Sequence, residues 1–278
     1  MAGYDLRPLS LGEILDRTFS LYRSHFLLFI GIAGIPRLCM LPINWAQAAL
    51  PGKSWSTSGL AGAVWLLAIL IVALLVYLLT QAGTVLAVSD IYLGRRASIG
   101  ARLRRAWDEK GLLFGVTLLN GLACLVGFLA LIIPGIYLAC RLLVCVPVAL
   151  IEQRWPLDSL RRGYHLTRDY AGRAFVIGLL FVLLAWIGAF LVGIPVGIAA
   201  VMLQNDPEKL RLAMMLMQVP LLLMTILTQP FLLIATAVFY YDLRVRKEAF
   251  DLQFMMDPTS EGRTDSTGGF PSILSGGA

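Results

Sequence analysis

Long apolar stretches alternate with short polar segments along this chain. Six of the stretches are apolar over enough residues to cross a bilayer as a helix, which takes roughly 20 residues. They lie near 26–45, 60–88, 112–133, 135–152, 173–203 and 212–241. The pattern predicts an all-α polytopic membrane protein with about six transmembrane helices, arranged as three hairpins.

Prolines and glycines interrupt several of these stretches. The third and fourth have no polar loop between them, so we predict a tight turn at Pro134-Gly135. Further candidate helix breaks are Pro195 in span five and Pro220 and Pro230 in span six. Each proline frees a backbone carbonyl that a neighbour must satisfy. Two interpretations stay open for these sites, a packed kink or a broken helix that lines a cavity.

A short amphipathic segment precedes each hairpin. The segments start at Ser10, at Ser98 and near Pro156, and in the first of them Ser10 and Glu13 have the spacing of a capping box. All three segments share a Leu-x-Arg-x-aromatic pattern. Its copies are Leu15-x-Arg17-x-Phe19, Leu103-x-Arg105-x-Trp107 and Leu160-x-Arg162-x-Tyr164.

The pattern favours interfacial helices. Their apolar and aromatic residues would enter the acyl boundary while the arginines face anionic headgroups. The alternative is that these helices only anchor and orient the hairpins. The organisation divides a membrane domain, 1–256, into repeat-like units 8–93, 96–152 and 155–241, although a motif this short also arises by coincidence. Residues 257–278 are rich in Gly, Ser and Thr, which predicts a disordered cytoplasmic tail.

Composition and charge place the chain in a membrane. Hydrophobic residues make up 58% of it and charged residues 14%, whereas a soluble domain carries roughly 25% charged residues. With the N-terminus inside, 18 of the 23 Lys and Arg residues fall in inner segments and 3 in outer loops. The positive-inside rule therefore predicts that both termini are cytoplasmic. The net charge of +6 is explained by this membrane face, and nucleic acid is not expected as a partner.

Arg37 and Arg141 fall in the interior of predicted spans, where no Asp or Glu occurs, since Glu152 lies at the inner edge of span four. Arg141 is a candidate contact for lipid phosphate or another anion, with snorkelling to the outer interface as the alternative. Arg37, directly after Pro36, poses the same question. Polar uncharged residues within the spans are expected to form interhelical hydrogen bonds. These are Gln81, Asn120 and Gln229.

Catalytic signatures are missing from the sequence. It contains no H-E-x-x-H, nucleophile elbow, Walker loop or dinucleotide fingerprint. The two histidines lie at predicted interfaces, and the four cysteines form no C-x-x-C pair. We therefore predict a protein that is not an enzyme and that carries no metal and no cofactor.

Several stretches resemble the bacterial glycerophosphoryl diester phosphodiesterase membrane domain family and related YciC-like integral membrane proteins. They are Arg7-Pro8-Leu9-Ser10-Leu11-Gly12-Glu13-Ile14-Leu15-Asp16-Arg17, Pro134-Gly135-Ile136-Tyr137-Leu138 with Arg141, Pro147 and Glu152, Leu160-Arg161-Arg162 to Leu166-Thr167-Arg168, and 241–252. Some members of that family carry a phosphodiesterase barrel that would supply catalytic metal ligands. This sequence has no such barrel. The resemblance thus implies a multi-pass bacterial inner-membrane protein, without implying phosphodiesterase activity.

These observations favour a non-enzymatic inner-membrane protein that acts in envelope or lipid homeostasis through contacts with lipid phosphate. The alternative is a small transporter or channel subunit in which spans five and six line a path. An intramembrane lipid enzyme is the weakest hypothesis, because the spans lack acids and bases. Membrane lipids are the expected partners, and a homo-oligomer or other membrane proteins remain open.

Overall fold

The computed structural model describes residues 8–49, 59–95 and 98–248, and the regular structure in these ranges is entirely α-helical. The helices are α1 (Leu11–Ser24), α2 (Phe26–Leu38), α3 (Leu41–Ala49), α4 (Gly59–Tyr92), α5 (Ile99–Asp108), α6 (Lys110–Ala130), α7 (Ile132–Arg141), α8 (Cys145–Glu152), α9 (Pro156–Leu166), α10 (Ala171–Met202) and α11 (Pro207–Glu248). The predicted tail at 257–278 lies outside the described residues.

Six segments of the described chain are long and apolar enough to cross a membrane. They are Phe26–Trp45, Gly62–Tyr92, Lys110–Ala130, Ile132–Glu152, Ala171–Met202 and Glu208–Glu248. Each segment coincides with a predicted span, and most of the segment ends lie within a few residues of the predicted ends. The prediction of an all-α, multi-pass membrane protein is therefore confirmed.

The turn between the third and fourth spans lies at Leu131, three residues before the predicted site. Leu131 is extended, with φ −172° and ψ 158°, and it separates α6 from α7. Pro134 and Gly135 instead lie in the first turn of α7, where a missing proline N–H leaves no intrahelical bond unmade. Gly135 allows the two helices to approach closely, because a Cβ there would lie 2.9 Å from the Cα of Phe128.

The predicted breaks at Pro195, Pro220 and Pro230 do not occur, since α10 and α11 continue through all three residues. A proline removes one backbone N–H, and the remaining helical bonds hold the segment together where water is absent. One residue past the Ile226 carbonyl, which loses its helical donor to Pro230, the Tyr22 hydroxyl of α1 donates to the carbonyl of Leu227 at 2.9 Å. Pro195 is exposed.

The three predicted amphipathic helices are present as α1, α5 and α9. The capping box of α1 is formed: Ser10 N–H donates to a Glu13 carboxylate oxygen at 2.7 Å, and Glu13 N–H donates to Ser10 Oγ at 3.3 Å. The other two helices begin at Ile99 and Pro156, as their sequence patterns indicate.

Each amphipathic helix packs antiparallel against the end of a span. Helix α9 packs on span four, which consists of α7 and α8. As the residue number increases along α9, the residue that it contacts in span four has a lower number. Arg162 reaches Glu152, Gly163 abuts Cys145, and the Arg168 carbonyl reaches Arg141. In the same way α5 packs on α4, where Arg102 binds Asp90.

The first amphipathic helix, α1, packs on the last span, α11. Its two ends define the antiparallel direction, because Leu9 meets Asp242 and Tyr22 meets Leu227 on α11. The three units therefore close into a ring. Helix α1 packs on α11 in the same way that α5 packs on α4 and α9 packs on α8. We call the end of the bundle where these helices meet the charged end.

Candidate functional site

Among the described residues, three carboxylates are buried at the charged end, one near the end of each even-numbered span. Asp90, Glu152 and Asp242 are 4%, 9% and 2% exposed. A buried carboxylate is stable only when it is paired and hydrogen-bonded. Each of the three has at least one arginine partner. Asp90 and Glu152 contact the amphipathic helix packed on their own span, and Asp242 contacts Leu9, two residues before α1.

Asp90 has the simplest environment. Its carboxylate lies 2.6 Å from Nε of Arg102, in the first turn of α5. This pair connects the end of α4 to the helix that follows it.

Glu152 is the centre of a larger network. One oxygen accepts from Arg154 at 2.7 Å and from Arg162 of α9 at 3.3 Å. The other accepts from the Tyr240 hydroxyl at 3.1 Å. Arg162 also pairs with Glu248 at the end of α11. The network thus joins α8, α9 and α11.

Asp242 connects the two ends of the described chain. It accepts the backbone N–H of Leu9 at 2.7 Å, and both of its oxygens accept from Nε of Arg246 at 3.0 Å. Arg173 lies 3.6 Å away. The carbonyl of Leu9 accepts in turn from Arg173 at 3.1 Å and from Arg246, so both backbone polar groups of Leu9 are held by the last span and its neighbour.

The arginines of the Leu-x-Arg-x-aromatic pattern differ in their surroundings. The guanidinium of Arg17 lies 5.9 Å from the ring centre of Tyr92. Arg105 is exposed, whereas Arg162 is held by carboxylates. The pattern therefore does not define one repeated lipid-binding arginine.

The aromatic residues of the pattern do share one environment. Phe19, Trp107 and Tyr164 are 59%, 47% and 38% exposed, as the interfacial interpretation requires. The residue before each aromatic is buried in all three copies, and it is small each time. These residues are Thr18, Ala106 and Gly163. The repeated feature that the sequence analysis missed is thus a small residue facing the supporting span.

Arg141 is held by protein groups. It is 3% exposed, and one of its terminal nitrogens donates to the Tyr137 hydroxyl at 2.7 Å and to the Arg168 carbonyl at 3.4 Å. The other donates to the Tyr164 carbonyl at 3.0 Å. Its guanidinium also lies 3.7 Å from the ring centre of Tyr164.

These contacts place the charge of Arg141 at the C-terminal end of α9, where backbone carbonyls lack intrahelical donors. A cation there is also stabilised by the helix dipole. The side chain therefore reaches towards the amphipathic helix, so snorkelling to the outer turn does not describe it. Because Arg141 is buried, its contacts fit the capping of α9 better than a contact with lipid.

Arg37 pairs with Gln229 of α11, which confirms the expected interhelical role for that glutamine. The other two polar residues bond within their own helices. Gln81 donates to the hydroxyl of Tyr77 at 3.4 Å, and Asn120 accepts from the thiol of Cys124 at 3.6 Å. The side chain of Arg37 is partly exposed.

Exposed cations lie on α5, on the start of α6 and on α9. We define the basic surface as Arg104, Arg105, Lys110 and Arg161. Within the part of the chain that the structure describes, these four cations form no ion pair. The two amphipathic helices share one core cluster, since Ala106 belongs to it and Leu160 packs against it.

Aromatic and acidic side chains accompany the basic surface. Trp107 and Trp155 are 47% and 80% exposed, and the Lys110 ammonium lies 4.8 Å from the ring centre of Trp107. Asp108 and Asp158 are exposed on the same helices, which lowers the net positive charge.

One exposed carboxyl outside the spans has a perturbed pKa. Asp169 accepts from the Lys247 ammonium at 2.9 Å, and this hydrogen bond and charge lower the pKa of Asp169 below its ordinary value. Lys247 also donates to the His165 carbonyl at 3.0 Å. The contact joins the α9–α10 connection to the end of α11.

The described residues contain no group of three or more His, Cys, Asp or Glu side chains that could hold a metal ion. No family model, curated protein or solved structure matches this chain. The resemblance to the glycerophosphoryl diester phosphodiesterase membrane domain therefore stays a prediction.

Proposed function

We propose that this protein is a non-enzymatic membrane protein that holds anionic lipid headgroups against its charged end. The observation that carries the proposal is the basic surface, where exposed arginines lie beside exposed tryptophans on helices adjoining the spans. Arginine binds phosphate through several N–H donors, and tryptophan favours the headgroup region. A basic residue close to an anionic membrane contributes about 1 kcal/mol to binding.

The arginines that are paired within the protein support this assignment by contrast. Arg102 and Arg162 are engaged by Asp90 and Glu152, so their charges are compensated within the protein. Arg104 and Arg105 occupy the outer face of the same helix α5 and are free to bind external anions. Helix α5 thus attaches to α4 through one arginine and presents two others outward.

We further propose that the charged end faces the cytoplasm of a bacterial inner membrane, because most basic residues lie there. Cysteines introduced by Ser98→Cys and Asn205→Cys lie at opposite ends of the bundle. In intact cells, a membrane-impermeant thiol reagent should modify Asn205→Cys and leave Ser98→Cys unmodified. The reverse labelling pattern would show that the orientation is inverted.

Lipid retention tests the proposed function. The protein is reconstituted in nanodiscs of phosphatidylcholine and phosphatidylglycerol, and the lipids that stay bound are measured by native mass spectrometry. The double variant Arg104→Ala/Arg105→Ala should retain about thirtyfold less phosphatidylglycerol, because two contacts of about 1 kcal/mol are lost.

The matched control is Lys209→Ala/Arg211→Ala, which removes the same charge from the opposite end of the bundle. It should leave phosphatidylglycerol retention at the level of the unmodified protein. Equal retention by the two double variants would exclude the basic surface as the headgroup site.

A further inference from the structure

Two spans are each interrupted shortly after an arginine. Span one, Phe26–Trp45, contains α2, which ends at Leu38, and the start of α3. Arg37 is the last residue but one of α2. Span four, Ile132–Glu152, contains α7, which ends at Arg141, and α8. An interrupted span places the ends of two half-helices inside the membrane, and such interruptions line ligand sites in many transporters.

The two arginines differ in how fully the protein satisfies them. Arg141 is 3% exposed and donates to three oxygens, so its charge is held by protein groups. Arg37 is partly exposed, and among the residues that the structure describes it makes a single hydrogen bond, to the side-chain oxygen of Gln229. Only Arg141 therefore has several acceptors at its interruption.

The charge of Arg37 lies in the interior of span one. Arg37 follows Phe26 by about 16 Å and precedes Trp45 by about 12 Å along a helix. Gln229 is neutral, so the hydrogen bond leaves Arg37 without a counter-ion within the described ranges. A cation near the end of α2 gains from the helix dipole, but an uncompensated charge at this depth is costly. An external anion would remove that cost.

The surroundings of Arg37 combine fixed donors with apolar surface. Gln229 of α11 is 8% exposed, and because its oxygen accepts from Arg37, its amide nitrogen is left as a further donor. Ile35 and Leu38, on either side of Arg37 in the sequence, are 51% and 53% exposed. An anion that also carries an acyl chain therefore matches both parts of these surroundings.

We propose that Arg37 and Gln229 bind the carboxylate of a long-chain fatty acid. The guanidinium supplies the counter-charge and the planar set of N–H donors that a carboxylate accepts, and Gln229 orients the guanidinium. The acyl chain lies against the exposed apolar residues of α2. A phospholipid phosphate fits this depth less well, because its glycerol and ester groups would leave the interface with it, whereas a fatty acid brings only its carboxylate.

Retention of oleate tests the site. The full-length protein is placed in phosphatidylcholine nanodiscs with oleate, and the molecules that stay bound are identified by native mass spectrometry. Arg37→Gln should retain about tenfold less oleate than the unmodified protein, because a charged, hydrogen-bonded partner is lost. Methyl oleate has the same chain without the charge, and the unmodified protein should retain it no better than Arg37→Gln does.

Gln229→Glu separates loss of the ligand from loss of the fold. This variant keeps Arg37 and places a carboxylate beside it within the protein, so the internal ion pair should lower oleate retention about tenfold without lowering the melting temperature. Undiminished oleate retention in either Arg37→Gln or Gln229→Glu would overturn the proposal.

Two controls remove guanidinium groups elsewhere. Arg211→Gln lies near the start of α11, and Arg104→Ala/Arg105→Ala alters the basic surface, so both should retain oleate as the unmodified protein does. An equal decrease in either control would contradict a specific site. Retention of phosphatidylglycerol that depends on Arg37, without retention of oleate, would assign Arg37 to phosphate instead and also overturn the proposal. The basic surface and this site can therefore fail independently.

Discussion

Single residues at the charged end show that position in the tertiary structure decides the role of a charge. Arg141 is surrounded by the carbonyls and aromatic ring of α9, and it satisfies the end of that helix. Arg105 carries the same charge on an exposed face. The first residue is a structural cap, and the second is available to an external anion. Both residues have the same guanidinium group, so the group itself does not decide which role each residue has.

Replacing Arg141 should therefore affect folding before it affects lipid binding. We expect Arg141→Ala to lower the free energy of unfolding by about 3 kcal/mol, since it leaves the carbonyls at the end of α9 without their charged hydrogen-bond donor. Arg161→Ala removes the same group from an exposed site of α9 and should change stability by less than about 0.5 kcal/mol. Thermal unfolding in one detergent measures both. Equal melting temperatures would show that Arg141 does not support α9.

At the scale of elements, small residues decide how the amphipathic helices dock. Thr18, Ala106 and Gly163 occupy equivalent positions in the pattern and are all buried. At Gly163 a Cβ would lie 2.7 Å from the Sγ of Cys145 and 3.4 Å from its backbone. The absence of a side chain thus sets the distance between α9 and α8. The equivalence in burial supports a structural repeat.

A methyl group at this contact should separate the two helices. We expect Gly163→Ala to destabilise the protein by about 1–3 kcal/mol, because the close approach must be relieved by a shift of α9. Gly178→Ala is the control, since a Cβ there meets no atom within 4 Å, and alanine favours the helix by up to about 1 kcal/mol. Chemical denaturation of both variants measures the difference. A loss of stability in both would contradict a role for close packing at Gly163.

At the scale of the whole molecule, the three units close into a ring through the contact of Leu9 with Asp242. These residues are 233 positions apart. The last turns of α11 also reach α8 through Tyr240 and α9 through Glu248. The end of the final span therefore holds the charged end together, and each buried carboxylate fixes one amphipathic helix to its supporting span.

Opening this ring should release α1 selectively. Asp242→Asn keeps an oxygen for the N–H of Leu9 but removes the charge that binds Arg173 and Arg246, and breaking a buried ion pair costs about 3–5 kcal/mol. Amide hydrogen exchange should accelerate in α1 while α5 stays protected. Asp108→Asn, at an exposed acid of α5, should leave both helices unchanged. Unaltered protection of α1 in Asp242→Asn would show that other contacts close the ring.

The sequence by itself determined the six spans, the three amphipathic helices and the capping box of α1. These features depend on local properties, namely the length of an apolar stretch, helical periodicity and the spacing of serine and glutamate. In lipid, the backbone must also satisfy its own hydrogen bonds. A helix satisfies them within one segment, so an apolar stretch of sufficient length is expected to be helical.

Only the tertiary structure decided which groups meet. Pro134 did not mark the turn, because a proline in the first turn of a helix disrupts nothing and Gly135 was needed for the approach of α6. Pro230 did not break α11, and the Tyr22 hydroxyl on another helix donates to a carbonyl beside it. The partners of Arg141 and Asp242 come from distant parts of the chain. Such contacts depend on how helices pack against one another, which no local pattern of residues contains.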